Sequence, residues 1–357
     1  MVLILTPWAT EQDMQQLFQR IEDKGLDRVV YRAQVRTHIH VLGDLSGESE
    51  TQWSAQPGVE QVYGLPKPYP MANKTHRRAH TRIPVGSQQL GSEDFVVIAG
   101  PCALESEEQG LEAARMMKGL GIEIMRASCF KPRTSPYSFQ GLGVEGLHIL
   151  SRIREATGIL VETEVMDVRD VEIASELVDV VRVGARNMQN FDLLKEMSRI
   201  RTPVIVKRGA SNSIKEFLLA AEYILQGNEN VILCERGIRT FETGYRNTLD
   251  VGCVAVLKQE THLPVIVDPS HAAGNKTLVP ALSLAGVAAG ADGLIVEVHP
   301  HPSVALCDGD QALHRFQFEN LMRDVRGVAA VLGRRTLPPL STGFATPGPE
   351  PALSVPA

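Results

Sequence analysis

The sequence contains no apolar run approaching the ~18 to 20 residues that a membrane-crossing helix requires. Residues 1–7, MVLILTP, carry neither a basic flank nor a full-length signal core. Cytoplasmic retention is therefore expected, with no membrane partner. Cysteine is sparse. Cys102, Cys129, Cys234, Cys253 and Cys307 are odd in number and form no C-x-x-C pair, which argues against a disulfide framework or a zinc ribbon and leaves each as a reduced thiol. A large charge of one sign is lacking too. The formal net charge of −6 gives no general attraction to nucleic acid or anionic lipid, so any polyanion site has to be local. Segment 66–82 holds five Lys/Arg, three Pro and no acidic residue, but without an aromatic stacking platform it reads as a solvated linker, not a nucleic-acid patch.

What is present is a chain of 357 residues, 43% hydrophobic and 22% charged, values that place it among soluble globular proteins of about two domains. Residues 1–65 read as a small α+β module: a strand at 2–7, an amphipathic helix at 11–24, a hairpin-like stretch at 29–45 and a strand at 59–63. A linker is expected over 66–92. From Phe95 a β-α alternation begins, with apolar runs at 95–99, 122–125, 160–165, 180–183, 203–206, 231–234, 265–267 and 293–298. Each is followed by a helix-patterned segment, such as 106–121, 214–226 and 311–332. Eight such units within 93–335 predict an α/β fold, a (β/α)8 barrel with its chemistry just after the strand ends. The Pro-rich tail 336–357 lacks periodicity and is expected to be disordered.

Two constellations fall at those strand ends. Arg126, Lys131 and Arg133 follow strand two, Arg186 strand four, Lys207 and Arg208 strand five, and Arg236 and Arg239 strand six. In an acidic protein, cations crowded onto one barrel face predict a ligand with more than one anionic group. One or two of them are expected to pair instead with Glu162, Glu164 or Glu235. The second constellation is Cys102 after strand one, Asp268 and His271 after strand seven, Glu297 and His299 at strand eight, and Asp308 just beyond. Strands one, seven and eight are neighbours in a closed barrel, so these S, N and O donors can converge on a divalent metal such as Mn, Fe, Co or Zn.

The segments IAGPCALES (98–106), CFKPRTSPYSFQGLG (129–143), VGARNMQNF (183–191), VIVKRG (204–209), ILCERGIRTFE (232–242), VIVDPSHAAG (265–274) and IVEVHPHP (295–302) with ALCDG (305–309) closely resemble the type I beta branch of the 3-deoxy-D-arabino-heptulosonate 7-phosphate (DAHP) synthases. Residues 1–65 resemble the ferredoxin-like domain that this branch often carries. The resemblance implies a metal-dependent condensation of phosphoenolpyruvate with erythrose 4-phosphate, the entry step of the shikimate pathway. It implies that Arg126, Lys131, Arg186, Lys207 and Arg236 hold phosphoenolpyruvate, with Lys131 lying between the two substrates. Arg133, Thr134 and Ser135 would receive the sugar phosphate, Cys102, His271, Glu297 and Asp308 the metal, and Asp268 would orient the sugar hydroxyls. Lys131, Asp268 and His271 would act in catalysis. Tyrosine or phenylalanine bound to the N-terminal module of a homodimer or homotetramer is the implied effector. A chain starting near Pro84 would then lose that control while keeping turnover.

Rival readings are the related synthase that uses arabinose 5-phosphate, a Schiff-base aldolase acting through Lys131 or Lys207, and a non-catalytic metabolite sensor. The loop Lys131-Pro132-Arg133-Thr134-Ser135 favours the four-carbon sugar over the five-carbon one. Two departures from the family pattern stand out. Ala127-Ser128-Cys129 replaces a common Gly-Gly-Ala, predicting a strained loop if those glycines serve positive φ, and Cys307 stands where Ser is common.

Overall fold

The computed structural model describes residues 1–32, 37–64, 67–74, 77, 79–133 and 135–337. The chain divides into two compact units, Met1–Pro70 and Met71 onward. In the first, β1 (Val2–Leu5), β2 (Asp27–Arg32), β3 (Thr37–Leu42) and β4 (Val59–Tyr63) form an antiparallel sheet in the order β2-β3-β1-β4. The helix Glu11–Asp23 starts where Thr10 and Asp13 satisfy each other's backbone N–H groups in a capping box. Its Met14, Leu17 and Ile21 then face Leu3, Leu5, Ile39, Val41 and Trp53 in a buried core. Strand alternation sends Tyr31, His38, His40 and Tyr63 to the opposite side of the sheet, where Tyr31 and Tyr63 are exposed.

The second unit opens with a hairpin of β5 (Ile83–Val85) and β6 (Gln88–Leu90). The barrel strands follow: β7 (Val96–Gly100), β8 (Ile124–Arg126), β9 (Leu160–Val165), β10 (Val180–Val183), β11 (Val204–Lys207), β12 (Val231–Glu235), β13 (Val265–Val267) and β14 (Gly293–Glu297). All eight pair in parallel and close, β14 against β7. Each is buried almost throughout, as strands covered on both faces must be. Helices at Glu107–Gly119, Ile214–Leu225 and Arg315–Val331 occupy the segments expected from their periodicity. Gly100 ends β7 at φ +150, and a Cβ there would lie 2.4 Å from the Arg126 carbonyl, so only glycine lets β7 and β8 approach at this end.

The stretch 66–92 is more than a linker. Ile83, Val85 and Leu90 share a core cluster with Val96, Ile124, Val180 and Ile266, residues near the N-terminal ends of the strands. The hairpin therefore plugs the mouth opposite the functional residues. Upstream, Met71 and Ala72 donate their N–H groups to Glu222, and Thr81 donates to the His262 carbonyl. A cut near Pro84 would sever these ties and remove Ile83, so the barrel's own chain begins near Met71. A two-period pattern only three residues long is too weak to reveal such a plug in sequence. Beyond Leu337, the tail expected to be disordered lies outside the described residues.

Candidate active site

The C-terminal ends of β7, β13 and β14 bring four donor residues together. Ligand atoms of Cys102, His271, Glu297 and Asp308 all lie within 4.8 Å of one another. Cys102 Sγ stands 3.0 Å from Asp308 Oδ2 and receives a 3.0 Å hydrogen bond from Lys131 Nζ. Asp308 reaches this position through φ 54, a left-handed conformation that Asp tolerates better than most side chains. His271 lies 2.7 Å from Asp268 Oδ2 through Nδ1. With the proton on Nδ1, Nε2 is left as a lone pair facing Glu297 Oε1 at 3.2 Å. Burial lowers the His271 pKa to about 4, keeping the ring neutral as a metal ligand must be.

Glu297 is wholly buried, a change that alone would raise its pKa, but with the His271 ring neutral the charges of Arg126 and Lys131 still act against burial and favour its ionised form. Its Oε1 makes no aligned hydrogen bond although Arg126 Nη2 stands only 3.1 Å away. A buried anionic oxygen without a proper donor, beside a thiol, a neutral imidazole and a second carboxylate, suits a divalent transition metal. His299 does not join this group; its Nε2 lies 3.2 Å from Gln109 Nε2 and 3.7 Å from Glu105. His299 lies two residues past the end of β14, where strand alternation no longer holds, and its ring turns to the helix Glu107–Gly119 instead of the donor cluster.

Beside the donors opens a cavity of about 620 Å³ whose wall includes Lys131, Arg133, Ser135, Arg186, Lys207, Arg236, His271 and Asp308. Arg126 lies behind that wall, fully buried, with Nε and Nη1 lacking partners among the described residues. Lys207 pairs with Asp268, and its own pKa is lowered by burial. Burial works against the charge on Lys131 as well, yet the surrounding Cys102 sulfur and Glu164 raise its pKa above the ordinary lysine value. Arg133 donates to Cys307 Sγ at 2.6 Å and Arg186 to the Pro132 carbonyl at 3.3 Å. Thr134 lies outside the described residues.

One of the strand-end cations, Arg208, pairs with a Glu as expected, whereas the other two Glu side chains are taken by an arginine outside that set. Arg208 pairs with Glu235 at 3.0 Å, while Glu162 and Glu164 are held at 2.6 and 3.0 Å by Arg182. Arg182 was not singled out from the sequence because it lies within β10, ahead of the strand end; its place in a V-R-V run buried on all sides was the available signal. The third Arg182 contact, 2.7 Å to Ser128 Oγ, accounts for one departure from the family pattern. The predicted strain at Ala127 and Ser128 is absent, since among the described residues Asp308 alone combines a side chain with positive φ.

Comparison with known proteins agrees with this geometry. The DAHP synthetase I family profile matches residues 77–330, and the DAHP synthase ferredoxin-like domain profile matches residues 1–65. A phospho-2-dehydro-3-deoxyheptonate aldolase of Thermotoga maritima is 42% identical over 334 residues, spanning 93% of this chain and 99% of the relative. A 2-dehydro-3-deoxyphosphooctonate aldolase of Acidithiobacillus ferrooxidans is 33% identical over 68% of this chain and 92% of its own. Among solved structures, the Thermotoga maritima DAHP synthase superposes with a TM-score of 0.77 at 40% identity, covering 94% of this chain and 98% of that one.

Proposed function

This chain belongs to the DAHP synthetase I family, and from that premise we propose that it condenses phosphoenolpyruvate with erythrose 4-phosphate to give 3-deoxy-D-arabino-heptulosonate 7-phosphate and inorganic phosphate. The observation that carries the reading is the cavity wall itself: its cations include Lys131, Arg133, Arg186, Lys207 and Arg236, beside a four-donor metal cluster. Such a face accommodates two phosphorylated substrates and an aldehyde to be activated. Residues 1–65 serve as a regulatory module, 93–335 as the catalytic barrel, and the enzyme acts in the cytoplasm at the start of the shikimate pathway.

Cys102, His271, Glu297 and Asp308 would hold the metal, which when bound supplies Lewis-acid polarisation of the aldehyde oxygen. The chain's own side chains do the rest. Arg126, Lys131, Arg186, Lys207 and Arg236 fix the carboxylate and phosphate of phosphoenolpyruvate, and Arg133 with Thr134 and Ser135 seats the sugar phosphate at the other end. That leaves C3 of phosphoenolpyruvate facing the aldehyde carbon, so binding energy is spent on orientation. Attack forms the C–C bond and leaves C2 electron-poor; water adds there, and the C2–O bond to phosphate then breaks into the cation cluster, which stabilises the departing charge. Asp268, held ionised by His271 and Lys207 against the raising effect of burial, orients the sugar hydroxyls. Lys131 remains protonated and is placed to donate a proton between the substrates.

The outer sheet face of the first unit, with Tyr31, His38, His40 and Tyr63, supports an aromatic effector, tyrosine or phenylalanine, held between copies of this module in a homodimer or homotetramer. Chelation separates the principal reading from Schiff-base chemistry. Activity should vanish with a strong chelator and return with a divalent metal, while borohydride plus substrate leaves the protein unlabelled. Covalent labelling, or full turnover in the metal-free protein, would overturn the reading.

A further inference from the structure

The Glu297 carboxylate has two oxygens with different surroundings. Oε1 faces His271 and the other donors, whereas Oε2 accepts a 2.6 Å hydrogen bond from Gln311 Nε2. Gln311 is 3% exposed and sits where the chain returns after Asp308, its N–H bonded to the Asp308 carbonyl. Its amide oxygen accepts from Arg246 Nη1 at 3.2 Å. Arginine can only donate, so this contact fixes which way the amide points: oxygen toward Arg246, nitrogen toward Glu297. Arg246 in turn lines the substrate cavity.

We propose that Gln311 is a positioning residue that, held by Arg246, fixes Glu297 with Oε1 turned to the metal. The inference rests on the metal reading above. A carboxylate rotates about its last bond with little resistance, and both its oxygens can bind a metal. Tying Oε2 to an amide whose own orientation is locked removes that freedom and leaves one donor geometry. Groups hydrogen-bonded behind a metal ligand commonly change affinity by about 10- to 100-fold when removed. Gln311 also ties two functional neighbours, the Asp308 carbonyl through its backbone N–H and the Glu297 carboxylate through its side chain, so one residue links two ligands. Arg246 contributes through the amide, not by touching the metal ligands itself.

The test uses the full-length, metal-free protein titrated with Co2+, followed by the absorption of the cobalt–thiolate bond to Cys102. Gln311→Met keeps volume and removes both amide contacts; Arg246→Met removes only the lock. Gln311→Met should weaken Co2+ binding about 10- to 100-fold and alter the cobalt spectrum, with circular dichroism and metal-free melting unchanged. Arg246→Met should weaken it less. The double variant should match Gln311→Met alone, because the arginine acts through the amide. Wild-type affinity and spectrum in Gln311→Met, with binding lost in Glu297→Ala, would overturn the positioning role and leave the metal reading intact. Additive losses in the double variant would overturn the Arg246 lock. Absence of Co2+ binding in the wild type would overturn both the metal reading and this inference.

Discussion

At the scale of single residues, the site divides into groups whose chemistry the sequence displays and groups that only packing reveals. Cys102, His271, Glu297 and Asp308 were legible because each follows a strand end, and closure of the barrel brings those ends together. Gln311 was not, since nothing in its local pattern separates it from other loop residues, and Arg182 showed only as a charge inside an apolar run; their partners come from other strands and loops. His299 misled for the opposite reason, because a histidine two positions past a ligand lies close in sequence yet faces away from the cluster. Arg133 lines the cavity from a loop stiffened by Pro132. Arg133→Ala should raise the KM for erythrose 4-phosphate about 10- to 100-fold, the worth of a charge-assisted hydrogen bond, and leave that for phosphoenolpyruvate nearly unchanged. Steady-state kinetics with each substrate varied in turn measures the split, and equal effects would remove the separate roles. Cys307 lies 3.5 Å from Cys102, sulfur to sulfur. In metal-free protein, hydrogen peroxide should convert the two thiols to a disulfide with release of two waters, a small approach to the bonded distance of ~2.05 Å. Peptide mass analysis should find 102 linked to 307 and the Co2+ capacity lost until a dithiol restores it. Peroxide treatment that leaves the pair unlinked would contradict this contact.

At the scale of elements, the eight barrel strands were readable because parallel strands buried on both faces appear as nearly uninterrupted apolar runs, and seven of the eight carry at most one charged residue to blur them. The hairpin of β5 and β6 was hidden. It is too short for periodicity to register, and its burial is imposed by the barrel it closes. That role has a measurable cost. Leu90 is fully buried at the plug, so Leu90→Ala should destabilise the barrel by about 2 to 5 kcal/mol, a fall in Tm of roughly 5 to 15 °C, while KM for both substrates stays near wild type. A melting curve within a degree of the wild type would show that the hairpin is not part of the folded core.

At the scale of the whole molecule, the chain divides into two units, and the boundary between them decides how it can be cut. The sequence placed the end of the first unit near residue 65, but the hydrogen bonds of Met71, Ala72 and Thr81 show that the barrel claims the chain from there onward. A chain beginning at Met71 should therefore fold and turn over like the full-length enzyme, and lose any inhibition by tyrosine or phenylalanine. Activity measured against each amino acid in both chains tests this, with retained inhibition in the shorter chain pointing to an effector site on the barrel.

The central claim is the choice of reaction. Its most direct measurement is the rate of phosphate release from phosphoenolpyruvate by one metal-loaded preparation, offered erythrose 4-phosphate or arabinose 5-phosphate and then treated with chelator. The account predicts rapid release with the four-carbon sugar, little with the five-carbon sugar, a product of seven carbons by mass, and loss of the rate on chelation. Faster release with arabinose 5-phosphate, or an eight-carbon product, would contradict it.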